Sequence, residues 1–166
     1  MRALVWIVED TWQATVAEAA AYLPVGADIT LLHVAAAEAE GAARAARHAL
    51  LGRPRRPARG DAEPLRAISK RAAEELLAEA QARLGRPARC ETRRGRGERE
   101  VVAAADGMDV LVLARDGDHA HLGPRSLGPA ARFVVDHAPC RVLLIWPDVT
   151  PAVTTTPPPP DAPPRR

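Results

Sequence analysis

The chain has 166 residues, which is enough for one domain of ordinary size. Hydrophobic residues make up 47% and charged residues 27%, so most of the chain can bury an ordinary core. The 23 basic and 21 acidic residues leave a net charge of +2, which argues against a dedicated nucleic-acid binder, and an aromatic content of 3% nearly excludes a base-stacking surface.

The sequence also limits where the protein is expected to work. It contains no run of about 18 apolar residues, so we expect no transmembrane helix and no membrane partner. The apolar run at residues 3–8 directly follows Met1 and Arg2 and is too short for a signal peptide. Cys90 and Cys140 are too few for a disulfide framework or a four-ligand zinc site. We therefore expect a cytoplasmic, reducing location.

Short apolar runs alternate with helical patterns along the chain. The apolar runs predict strands at residues 3–8, 29–34, 88–94, 110–114 and 142–145, of which the third is charged and expected at an edge. Helical spacing predicts helices after Thr11, over residues 65–84, over residues 98–106 and over residues 126–137. This alternation predicts right-handed crossovers and a doubly wound parallel α/β sheet with helices on both faces.

Apolar stripes predict which face of each helix is buried. In the first helix, which Thr11 can cap, the stripe consists of Trp12, Val16, Ala19, Ala20 and Leu23. In the long helix, it consists of Leu65, Ile68, Ala72, Leu76, Ala80 and Leu84.

Two segments differ from the rest in composition. Residues 41–63 form a basic, irregular insertion with prolines and no acidic residue between Gly41 and Gly60. Residues 148–166 are proline-rich and are predicted to be a disordered tail after a single domain at residues 1–147. A basic loop can contact phosphate or RNA, and a proline-rich tail can bind a proline-reading domain, but we favour solvated segments in both cases.

The loop after the fourth strand is the main candidate for function, because ligands bind such sheets at the carboxyl ends of the strands. Its glycines precede a helix start, an arrangement in which backbone amides can bind phosphate. Asp116, Asp118, His119 and His121 can also be read as metal ligands, but an exposed polar loop explains them as well. We therefore predict no metal site and no catalytic residue.

Three segments closely resemble the universal stress protein family: residues 31–34, residues 109–113, and residues 128–144 with their His-Ala-Pro-Cys turn. The resemblance extends over residues 2–147. It implies a five-stranded sheet in the order 3-2-1-4-5. It also implies a homodimer joined through the last strand, at Val142, Leu143, Leu144, Ile145 and Trp146.

Many members of that family bind ATP through a loop of the form Gly-x-x-Gly, nine residues, then Gly-Ser or Gly-Thr. Here Gly128 matches the third glycine, Pro129 replaces the Ser or Thr, and Arg115 and Asp118 replace the first two glycines. The resemblance places an acid near the ribose at Glu9 or Asp10 and the adenine contact at Val34. The implied nucleotide site comprises Glu9, Asp10, Val34, Ala114, Arg115, Gly117, Arg125, Gly128, Pro129 and Ala130.

The departures from the family loop leave three function hypotheses open. Pro129 lacks a hydroxyl and a backbone N–H, and Asp116 and Asp118 add negative charge where phosphate would bind, although Arg115 and Arg125 can compensate. The leading hypothesis is a regulatory module with ATP as a possible cofactor. The alternatives are a member without nucleotide that acts on an unknown protein partner, and a slow Mg²⁺-dependent nucleotide hydrolase.

Overall fold

The computed structural model describes residues 1–36 and 62–156. Its sheet contains β1 (Arg2–Trp6), β2 (Asp28–Ala36), β3 (Arg89–Gly95), β4 (Val110–Ala114) and β5 (Arg141–Ile145). The strands lie in the order β3-β2-β1-β4-β5, and every neighbouring pair is parallel. The predicted doubly wound sheet and its 3-2-1-4-5 order are therefore confirmed.

The helices cover both faces of the sheet and are α1 (Trp12–Tyr22), α2 (Ala62–Leu84), α3 (Gly97–Ala104) and α4 (Pro129–His137). The core cluster against α1 and α2 includes Val5, Leu31 and Val112. The cluster against α3 and α4 includes Leu4 and Leu113. Alternate residues of the central strands thus face opposite layers, and both faces of β1 and β4 are buried.

The charged third strand is explained by its position. β3 is an edge strand that pairs only with β2, and the burial of its residues alternates between exposed and partly buried. Its arginines can therefore reach solvent from a strand that still contributes to the sheet. None of the described helices is both long and apolar enough to span a bilayer.

The predicted inner faces of two helices need correction. Ala20 is exposed in α1, where Thr15 is buried instead, and Thr11 makes no side-chain cap. In α2, Ile68 is 65% exposed, and the buried stripe is Ala73, Leu77, Ala80 and Leu84. The predicted and observed stripes of α2 share Ala80 and Leu84. Spacing alone therefore does not decide which neighbouring residues turn inward.

Two compositional segments lie partly outside the described residues. Residues 41–61 of the predicted insertion are outside them, and its last two positions begin α2. Residues 157–166 of the predicted tail are also outside. Residues 147–156, called the C-terminal segment below, follow β5 and contain a short 3₁₀ helix at Val153–Thr155. The division into one domain and a disordered tail stays a prediction.

Candidate functional site

The two loops that meet at the switch point of the sheet follow β1 and β4. Because β1 and β4 are adjacent and their following helices lie on opposite faces, a crevice is expected between the loops. After β1, the chain turns at once into α1, with the carbonyl of Val8 accepting bonds from the amides of Thr11 and Trp12 at 3.0 and 2.9 Å. Glu9 and Asp10 at this turn are exposed.

The β4–α4 loop, residues 115–128, is closed by contacts between its own two arms. The amide of Gly117 donates to the carbonyl of Ser126 at 3.1 Å, and the amide of Asp118 donates to that of Arg125 at 2.9 Å. A Cβ atom at Gly117 would lie 2.2 Å from the Arg125 carbonyl oxygen. Only glycine allows the two arms to approach this closely.

The carboxylate of Asp116 occupies the N-terminus of α4. Its Oδ1 accepts a hydrogen bond from the Gly128 amide at 2.7 Å, and its Oδ2 accepts one from the Ala131 amide at 3.1 Å. The intervening Pro129 begins the helix and has no amide hydrogen to donate. A Cβ atom at Gly128 would lie 2.9 Å from Asp116 Oδ1, so the carboxylate is packed against the helix start. Two of the amides at the helix start that could bind a phosphate therefore already have an acceptor.

The guanidinium of Arg115 contacts two other side chains of the protein. Its Nη1 donates to the hydroxyl of Ser126, and its guanidinium lies 4.4 Å from the ring centre of Trp146. Burial lowers the pKa of Arg115 from its ordinary value. Ser126 is fully buried and donates in turn to the carbonyl of Gly123 at 2.7 Å. The one basic side chain of the original candidates that remains exposed in this loop is Arg125.

The acidic and histidine side chains of the loop bind to the loop itself or to the C-terminal segment. Asp118 accepts bonds from the Ala120 amide at 2.9 Å and from Nδ1 of His121 at 2.9 Å, and these contacts lower the pKa of Asp118. His119 lies between the Arg115 carbonyl and Asp148. Within residues 1–36 and 62–156, no three side chains of the histidine, cysteine, aspartate or glutamate type are grouped to hold a metal ion.

The C-terminal segment contacts the β4–α4 loop at two points. Asp148 Oδ2 lies 3.2 Å from Nδ1 of His119, and the Thr155 hydroxyl accepts a bond from the Leu122 amide at 3.1 Å. Between loop and segment lies a cavity of about 410 Å³, lined by Asp118, His121, Leu122, Pro124, Arg125 and Thr155. This cavity is a second concave feature beside the switch point.

The candidate residues divide between the two sides of the crevice. Glu9 and Asp10 lie on the β1 side, and Val34 is half-buried in β2 opposite Arg93 of β3. The others lie on β4, its loop or the start of α4, and they are Ala114, Arg115, Gly117, Arg125, Gly128, Pro129 and Ala130. Ala130 packs against the second core cluster, and Ala114 is buried at the end of β4.

Sequence reasoning missed several residues that determine the shape of the loop. Asp116 was identified only as a negative charge and as a candidate metal ligand, Trp146 only as part of the expected dimer strand, and Ser126 and Asp148 were not identified as site residues. Their roles depend on contacts over many sequence positions, such as the 12 that separate Asp116 from Gly128. The available signal was an acidic residue two positions after a buried strand and upstream of a proline-initiated helix.

Two side chains outside the loop have structural roles. His33 lies in β2 with its Nδ1 at 3.1 Å from the Ile7 carbonyl oxygen. Cys140 packs against the second core cluster, and burial raises the pKa of its thiol. A raised pKa disfavours the thiolate, so the side chain behaves as a small core residue.

The parallel sheet, its order and the loops at its switch point define a doubly wound α/β domain, a class of fold in which ligands bind at the carboxyl ends of the strands. The family model of the universal stress protein family matches residues 8–145. The chain belongs to the universal stress protein family.

Solved structures of the same fold include several members of that family. Universal stress protein UspA from Lactobacillus plantarum is 21% identical with a TM-score of 0.64, over 87% of this chain and 97% of that chain. A universal stress protein in complex with cAMP is 16% identical with a TM-score of 0.55, over 89% and 98%. A family member from Arabidopsis thaliana with AMP bound is 15% identical with a TM-score of 0.54, over 90% and 93%. No curated protein matches the chain.

Proposed function

We propose that this domain is a non-catalytic binding module of the universal stress protein family that does not take ATP through the family's phosphate loop and acts through contacts with another protein. The observation that carries this proposal is the Asp116 carboxylate on the amides of Gly128 and Ala131. The residues present at the loop do not fit a triphosphate. The loop instead supplies its own anion.

Electrostatics support the same conclusion. A phosphate that approached α4 would have to displace Asp116 and would then meet the charges of Asp116 and Asp118. Two like charges 4 Å apart repel by about 1 kcal/mol in bulk water and by about 4 kcal/mol near a protein surface. Arg115 does not offset this repulsion, because its guanidinium is already held by Ser126 and Trp146. Arg125 and Arg132 are exposed near the incoming charge, but Arg132 already donates to the carbonyls of Pro124 and Leu127.

A second candidate function is the binding of an adenine nucleotide at the β1 side of the crevice. The family members with bound AMP and cAMP favour it. So do the exposed carboxylates of Glu9 and Asp10 and the half-buried Val34, which belong to the side of the crevice that Asp116 does not occupy. A ligand there would bind through its nucleoside part and gain little from its phosphates.

Titration calorimetry of the full chain with ATP and with AMP, each with and without Mg²⁺, tests these alternatives. We expect no heat with millimolar ATP, repeated at a second temperature to avoid an enthalpy near zero. Micromolar ATP binding would contradict the proposal, and AMP binding that equals ATP binding would favour the second candidate. Release of phosphate only with Mg²⁺ would favour the hydrolase.

Two variants locate the cause. Asp116→Ala empties the amides of Gly128 and Ala131 and removes one negative charge, so we expect ATP or inorganic phosphate to bind measurably to this variant alone. Asp106→Ala removes the same charge from an exposed position between α3 and β4, outside both candidate sites, and serves as the matched control. An equal gain in both variants would mean that overall charge, not the occupied amides, excludes phosphate.

We also propose that two copies associate through β5. This strand is an edge of the sheet and pairs only with β4, and its Val142, Leu143 and Leu144 are incompletely buried in the single chain. A free edge with apolar side chains favours pairing with another chain. Sedimentation equilibrium of the full chain should give twice the mass of 17.7 kDa, and Leu144→Arg should give the single-chain mass. A single-chain mass for the unaltered protein at 100-fold different concentrations would contradict this proposal.

A further inference from the structure

The imidazole of His119 has both of its ring nitrogens directed at oxygen acceptors. Nε2 lies 3.0 Å from the carbonyl oxygen of Arg115, and Nδ1 lies 3.2 Å from Oδ2 of Asp148. A neutral imidazole carries one N–H, whereas an imidazolium carries two. Since a carbonyl and a carboxylate only accept, both contacts are hydrogen bonds only when the ring is protonated.

The other histidines that the structure describes do not share this arrangement. His33, His121 and His137 each direct Nδ1 at one acceptor, at distances of 3.1, 2.9 and 2.8 Å. A neutral tautomer with its hydrogen on Nδ1 satisfies each of these contacts. Of these four rings, His119 is therefore the one that needs a hydrogen on both ring nitrogens for its observed contacts to be hydrogen bonds.

The proton on His119 links two parts of the chain. Arg115 belongs to the β4–α4 loop, and Asp148 belongs to the C-terminal segment. A second hydrogen bond between these parts, from the Leu122 amide to the Thr155 hydroxyl, does not depend on a titrating group. One of the two attachments is thus sensitive to protons and the other is not.

The charged groups around His119 leave Asp148 as its ionic partner. The guanidinium of Arg115 is turned toward Ser126 and Trp146, although its carbonyl faces the ring. Asp118 is engaged with His121 and the Ala120 amide on the same loop. The side chain of His119 is 26% exposed and that of Asp148 is 71% exposed, so protons reach the pair freely.

We propose that the C-terminal segment is a proton-dependent strap on the β4–α4 loop, closed while the imidazolium of His119 bridges Arg115 and Asp148 and loosened when the ring loses its proton. Thr155 on this segment forms one wall of the 410 Å³ cavity, so loosening opens that cavity. Histidine is the side chain that ordinarily changes charge between about pH 5 and 8, so this is the range in which the proposal is tested. The proposal does not depend on whether ATP binds.

Hydrogen exchange of the Leu122 amide, followed by NMR on the full chain, tests the strap. Thr155→Val removes the acceptor of this amide and gives the exchange rate of the loosened state at each pH. The protection of Leu122 is the ratio of that rate to the rate in the unaltered protein, which removes the intrinsic pH dependence of exchange. We expect this ratio to fall about threefold from pH 5 to pH 8, the size expected for a partly exposed ion pair. Its midpoint should coincide with the titration of the His119 ring signals.

Two further variants separate the strap from a general pH effect. His119→Gln cannot gain a proton and should give a ratio that is constant with pH, whereas His121→Gln should keep the pH dependence of the unaltered protein. A constant ratio in the unaltered protein would overturn the proposal. So would a ratio in His119→Gln that still falls with pH, because the responsible group would then lie elsewhere.

Discussion

The β1–α1 turn and the β4–α4 loop bound the same crevice but satisfy their backbone groups in different ways. In the short turn, the Val8 carbonyl is paired by backbone amides of the following helix, and the side chains of Glu9 and Asp10 extend into solvent. In the long loop, the carboxylate of Asp116 accepts hydrogen bonds from two amides at the start of α4, and the guanidinium of Arg115 donates to Ser126 of the same loop.

This difference teaches that two loops at the same edge of a sheet can satisfy their backbone groups through different partners. Both loops lead into a helix, whose first amides need acceptors. At α1, no side chain caps the helix, and the carboxylates of Glu9 and Asp10 stay exposed. At α4, the carboxylate of Asp116 is the acceptor for the amides of Gly128 and Ala131.

The largest effect is expected from breaking the close approach of the two arms of the long loop. Gly117→Ala would place its Cβ 2.2 Å from a backbone oxygen, which cannot move as a flexible side-chain end can. We expect a loss of about 2 kcal/mol or more in the free energy of unfolding, measured by urea denaturation. Gly26→Ala, with no atom within 4 Å of the added methyl, is the matched control and should change it by less than about 0.5 kcal/mol. Equal losses in the two variants would show that the arms do not pack as described.

A smaller effect, which sharpens the comparison, is expected from the charge of Asp118. The Ala120 amide and His121 lower the pKa of Asp118 in the folded chain. Its contribution to stability is therefore present above the unfolded value of about 3.9 and is lost as the pH falls toward the lower folded value. In Asp118→Asn, the free energy of unfolding should therefore fall less steeply as the pH decreases through that acidic range.

His121→Gln provides the comparison for this prediction. It removes only one of the two contacts of Asp118 and leaves the Ala120 amide in place, so it should keep part of the acid dependence. An Asp118→Asn curve that is parallel to that of the unaltered protein down to pH 2 would contradict the assigned contacts.

Much of the fold could be predicted because it depends on local patterns. Continuous apolar runs such as residues 110–114 indicate strands buried on both faces, and the charges of β3 indicate an edge. The order of the strands came from the resemblance, not from the pattern. The buried stripe of α2 was misplaced because an alanine-rich helix offers two adjacent stripes of similar apolarity, and only packing against α1 and β2 selects one.

The site could be predicted only in part. The position of the loop follows from the topology, and the missing amide of Pro129 follows from its chemistry. Residue spacing does not predict three contacts of the loop. These are the contacts of Asp116 with Ala131, of Arg115 with Trp146 and of His119 with Asp148. Each depends on where the loop and the C-terminal segment lie in space, and such contacts leave no periodic signal in the sequence.

The carboxylate of Asp116 at the start of α4 has a consequence for how much folded protein a cell contains. A domain that binds a nucleotide is stabilised as the free concentration of that nucleotide rises, by an amount that grows with the logarithm of the ratio of ligand to dissociation constant. An acceptor that is part of the chain is present at a constant effective concentration. Under the proposed function, the folded population of this domain would therefore not depend on the nucleotide concentration around it, and its abundance would be set by synthesis and degradation.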